Sequence, residues 1–140
     1  AYSLVCYNKI MSINYEAITA GERALNDLNE ALRTLDSART WGIFDILGGG
    51  TFTTFLKHSK IEKAKDLLYQ CRVSLWEFKN QLAYIPSVEI DISTFLTFAD
   101  FFCDGLLADI IVQTRINEAR SELSNAIDVT ERALEELRLL

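Results

Sequence analysis

The chain has 140 residues, 49% of them hydrophobic, with one Pro and six Gly, three of those Gly consecutive. That length suits one domain, taken as residues 1–140, able to bury roughly two thirds of its unfolded surface, and so few breakers favour long helices over strands and turns. Fourteen basic residues against twenty acidic ones leave a net charge of −6, and no run of Lys and Arg supplies the footprint a phosphate backbone needs, so nucleic acid is not an expected partner.

Ile18, Gly21, Leu25, Leu28, Leu32 and Leu35 alternate spacings of three and four, which predicts a first helix over about 14–40. Gly48, Gly49 and Gly50 are expected to stop it, because glycine takes the left-handed C-terminal conformation without steric cost. This triple glycine reverses the chain, cradles an anion or admits a ligand. It is not a P-loop, since no Gly-Lys-Ser or Gly-Lys-Thr follows at the required spacing. Trp41, Phe44, Phe52 and Phe55 flank it, either as a hydrophobic tip or as core.

Ser59-Lys60-Ile61-Glu62 reads S-x-x-E, a capping box that predicts the start of the second helix. Ile61, Ala64, Leu68, Cys71, Leu75, Phe78, Leu82 and Ile85 then keep the three-four spacing until Pro86, which ends the run by clashing with the preceding turn. A short extended connection, SVEIDI, follows, with Ser93 as the expected next cap and Asp91 as the weaker one.

Residues 95–112, FLTFADFFCDGLLADIIV, are apolar enough to test as a membrane span. Phe, Leu, Ile and Val there favour insertion by about 3–6 kcal/mol, whereas Asp100, Asp104 and Asp109 oppose it by roughly 7–10 kcal/mol. The segment is therefore expected to avoid lipid and to lie enclosed by other helices or under a dimer partner. The last run, Ile116, Ala119, Leu123, Ala126, Thr130, Ala133, Leu137 and Leu140, is widened by Ile127 and Leu134 into a bundle-core face. The expected architecture is all-α: an elongated antiparallel bundle of three or four long helices.

The aspartates carry the sharpest chemistry. Asp100 and Asp104 lie about 40° apart on one helix face, with Asp109 nearly opposite. A carboxylate in an apolar helix must be paired, hydrogen-bonded or neutralised. Lys57, His58, Arg115 and the glycine amides are its expected partners. A small-molecule, ion or enzymatic site is thus conceivable around Asp45, Gly48, Gly49, Gly50, Lys57, His58, Asp100 and Asp104, against a structural reading in which the same groups form ion pairs and caps. No metal or cofactor is expected: a di-iron bundle needs Glu-x-x-His pairs, and the chain has one histidine. Serine or cysteine hydrolase arrangements would also have only His58 as base.

Cys6, Cys71 and Cys103 are odd in number and lack CxxC spacing, which indicates neither a disulfide framework nor a cysteine zinc site. They are read as reduced, and the expected location is cytoplasmic. No secretory leader pattern opens the chain, although it begins at Ala1 rather than Met, as a processed or excised piece would. The blocks WGIFDILGGGTFTTFLKHSKIEKA and FLTFADFFCDGLLADIIVQTRI resemble segments of uncharacterised bacterial helical proteins, a resemblance that implies a bacterial, helical chain and carries no site residue. The favoured function is a non-catalytic interaction or scaffolding module that pairs with a helical protein or a second copy. Adsorption to a membrane surface is a minor option, because no Lys- and Arg-rich polar face is present.

Overall fold

The computed structural model describes residues 2–40, 51–85, 90–103 and 116–140. Among these, every regular element is a helix: α1 (Tyr2–Thr40), α2 (Thr51–Leu82), α3 (Ile90–Phe101) and α4 (Ile116–Leu139). α1 and α2 contain no Pro and a single Gly between them, so backbone hydrogen bonding runs unbroken for 39 and 32 residues. At 1.5 Å per residue they extend about 58 and 48 Å.

Cross-helix pairs set the directions. Arg23 of α1 meets Glu77 of α2 at 3.1 Å, while Asp27, further along α1, accepts from Ser74, earlier on α2. Glu22 and Asp36 of α1 meet Arg138 and Arg120 of α4 at 3.0 and 2.5 Å, again in descending order. Near the start of α3 the Ile92 amide donates to Glu136 Oε2, near the end of α4, at 3.1 Å. Each helix therefore runs antiparallel to its chain neighbours, and α1 to α4. The closely packed pairs are α1 with α2, α2 with α3, α3 with α4 and α4 with α1; among the described residues the backbones of neither diagonal pair approach one another. The result is an all-α, up-down-up-down bundle of four helices.

The core face of α2 follows its expected spacing: Ala64, Leu68, Cys71, Leu75, Phe78 and Leu82 are all buried, as is Ile85 just past its end, while the Ile61 side chain lies outside the described residues. α4 buries Ala119, Leu123, Ala126, Thr130, Ala133, Leu134 and Leu137, with Ile127 partly covered; Leu140, just past its end, is half exposed, and the Ile116 side chain lies outside the described residues. The α1 stripe is rotated from the expected one. Ala17, Ala20, Gly21, Ala24, Leu28, Ala31 and Leu35 form its centre, and Ile18, Leu25 and Leu32 lie on its shoulder. Small side chains face inward because large ones arrive from across the core. A Cβ on Gly21 would lie 2.5 Å from Leu134 Cδ2 and 2.8 Å from Phe78 Cζ, and the Phe78 ring also packs on Phe95, centroids 4.8 Å apart. One residue from each helix thus meets at this level.

Three boundaries differ from expectation. α1 begins at Tyr2, about a dozen residues early. α2 begins at Thr51, so Ser59 and Glu62 lie inside the helix; a capping box acts only where the preceding backbone is non-helical, and no breaker separates residues 51–58 from the run. α3 begins at Ile90, which places Ser93 inside it as well and replaces the proposed serine cap with the Glu136 carboxylate from α4. At its other end α2 does stop before Pro86, its last turn tightened by the Tyr84 N–H to Gln81 carbonyl (3.2 Å) and Ile85 N–H to Leu82 carbonyl (3.1 Å) bonds. The triple glycine lies outside the described residues.

Two substitutions test this packing by urea denaturation. Gly21→Ala gains about 1 kcal/mol of helix propensity but overpacks Phe78 and Leu134 by roughly 2 kcal/mol, so stability should fall by about 1 kcal/mol. Thr130 is fully buried and its hydroxyl has no hydrogen-bond partner among the described residues. Thr130→Val keeps the shape and removes the orphaned hydroxyl, which should raise stability by about 1 kcal/mol.

Candidate functional site

Of the residues proposed from the sequence, Asp45, Gly48, Gly49, Gly50 and Asp104 lie outside the described residues. Lys57 and His58 belong to α2, but their side chains also fall outside the description. Asp100 is placed, and its setting differs from expectation. Its carboxylate is 52% exposed and ion-paired to Lys79 of α2. α3 buries Ile92, Phe95 and Ala99, and Phe102 just past its end is buried with them. Asp100 follows Ala99 by about 100° and so falls on the solvent edge. The described part of the apolar segment is accordingly one corner of a square of helices, with Phe101 64% exposed, and is not a rod enclosed on all sides.

The Lys79 ammonium that holds Asp100 also lies 4.5 Å from the centroid of the Trp76 ring. Trp76 belongs to a second apolar stripe on α2, facing away from the core: Tyr69, Val73 and Trp76, at i, i+4 and i+7, are 52%, 51% and 44% exposed. With Arg72 and Glu77 they line an open surface recess of about 550 Å³. Arg72 has no ion pair among the described residues, whereas Glu77 is held by Arg23 of α1. Three large apolar groups at this spacing are the anchor pattern by which a helix engages another helix. A second recess, between α1 and α2, is lined chiefly by Tyr15, Glu16, Thr19, Arg23, Asn80 and Gln81 and offers no such apolar row.

Sequence reasoning missed this stripe because it assigned the apolar residues of α2 to one seam. The signal was nonetheless present: an ordinary surface helix leaves its far side polar, and Tyr69, Val73 and Trp76 break that rule at helical spacing.

Inside the bundle lies a small polar group. Ser74, buried, donates to Asp27. Cys71 is fully buried beside them, and its thiol is pushed up from 9.0 to about 12, first by burial, then by the Asp27 carboxylate and by Cys103. At neutral pH it is therefore a protonated, weakly nucleophilic thiol. Cys103 Sγ lies 3.9 Å from the Arg72 carbonyl oxygen. Among the described residues no group of three or more His, Cys, Asp or Glu side chains could hold a metal ion, and no helix is long and apolar enough to cross a membrane.

No protein-family model, curated protein or solved structure matches the chain.

The Cys71 environment has a measurable consequence. A raised folded-state value means that the native state holds the thiol proton more tightly, so its contribution is complete below about pH 9 and is lost as pH rises toward about 12. Denaturation midpoints measured between pH 8 and 11 should fall for the parent chain and fall less steeply for Cys71→Ala, the difference approaching a few kcal/mol at the alkaline end.

Proposed function

We propose that this chain is a non-catalytic helical interaction module whose working surface is the outer face of α2. The observation that carries this reading is the stripe of Tyr69, Val73 and Trp76, each about half exposed, on a helix whose other face is already committed to the core. Burying the remainder of three such side chains under a partner helix yields a few kcal/mol from area alone, less than association costs, so polar contacts along the flanks of the stripe must add to it. The partner is an amphipathic helix that presents apolar side chains to the stripe and polar groups to Arg72 and Glu77 on its flanks. The buried, protonated thiol of Cys71 fits a reducing, cytoplasmic setting.

A photoactivatable phenylalanine analogue in place of Val73, illuminated in cells that produce the chain, should form protein adducts, and adding Trp76→Ser to the labelled chain should reduce them several-fold. The same analogue at the exposed Asp128 of α4 should form none. Equal labelling from both positions removes the reading.

A further inference from the structure

Resting on the interaction reading above, we infer that the occupant of the α2 stripe is a second copy of this chain, its α2 parallel to the first about a two-fold axis. The charges that border the stripe point to it. Along the edge nearer α3 stand Lys65, Arg72 and Lys79, at seven-residue intervals; Lys79 marks that edge through its pair with Asp100. Along the edge nearer α1 stand Asp66, Gln70 and Glu77, and Glu77 marks it through its pair with Arg23.

In a parallel two-fold pair of helices each edge faces the opposite edge of the other copy, and a residue on one edge meets the residue five further along on the other. Arg72 then meets Glu77 of the second copy, and symmetry makes the pair twice. Arg72 has no ion pair among the described residues, and the Glu77 carboxylate is about half exposed, with acceptor sites left beside Arg23. The same register sets Val73 against Val73 and Trp76 against Trp76 across the axis. An antiparallel copy would instead lay the row Lys65, Arg72 and Lys79 against itself, cation on cation, and lose both pairs. The local pattern also explains how two chains of net charge −6 can meet: α2 holds six basic and three acidic residues, the reverse of the whole-chain balance.

Sedimentation equilibrium of the purified full chain over a concentration series tests this, with circular dichroism to show that each variant is folded. The chain should dimerise reversibly. Arg72→Glu and Glu77→Arg should each weaken the dimer about tenfold, since two attractive contacts become repulsive, and Arg72→Glu combined with Glu77→Arg should restore it to within about threefold of the parent. A dimer indifferent to these reversals, or one that the combined variant fails to restore, overturns the inference. So does a monomer at every concentration. If that monomer still forms adducts with a different protein from position 73, the second-copy inference falls and the interaction reading stands; if it forms none, both fall.

Discussion

Phe78 reaches across the bundle and ends over a residue that has no side chain. Its ring tip and Leu134 occupy the volume that any Cβ at position 21 would need, and the same ring packs on Phe95. Because α1, α2, α3 and α4 all contribute to this level, it fixes the rotation of each helix about its own axis. For α2 the consequence extends to the surface. Tyr69 lies about 180° and Trp76 about 160° around the helix from Phe78, so seating that ring in the core turns the other two outward. The apolar outer stripe follows from how the core is packed.

The alanine row of α1 belongs to the same constraint. Ala17, Ala20, Ala24 and Ala31 contribute little apolar area individually, but they let α1 lie close to helices that bring Phe78, Leu75, Leu123 and Leu134 to the shared interior. Large-to-small pairing across an interface keeps packing dense without forcing strained rotamers. Counting large hydrophobics along α1 places the stripe partly on Ile18, Leu25 and Leu32, because it gives alanine no weight. The structure places it where volume permits approach.

The legible parts of the fold were those where one face is apolar and the other polar. α2's inner row and most of α4's could be read residue by residue, since their buried positions repeat at three and four with few competitors. α3 could not: Leu96, Phe98 and Phe101 surround its buried row of Ile92, Phe95, Ala99 and Phe102, so apolar character on every side suggested enclosure. Helix starts were also misread, since S-x-x-E and an isolated serine are local signals, and continuous helix propensity on their N-terminal side overrides them. Asp100 was identified as chemically demanding, but its partner Lys79 lies 21 residues earlier on another helix, a pairing that only the α2–α3 packing creates. The outer stripe was visible in principle as apolar residues on the wrong side of α2.

Exposure alone does not make Trp76 an anchor, since isolated surface aromatics are common. What distinguishes it is the fixed arrangement on which it rests. Asp100 of α3 holds the Lys79 ammonium, and Lys79 lies against the Trp76 ring, so a contact between two helices limits the motion of a side chain on the surface. An indole already held loses less rotamer freedom when a partner covers it, and that saving is a fraction of the roughly 0.5–1.5 kcal/mol that ordering a flexible interface side chain costs. Lys79 is also partly neutralised by Asp100, which lowers the penalty of bringing apolar surface alongside it. The ion pair between α2 and α3 therefore contributes little to the stability of the bundle at such exposure, and under the proposed interaction its larger effect would be to prepare the stripe for contact.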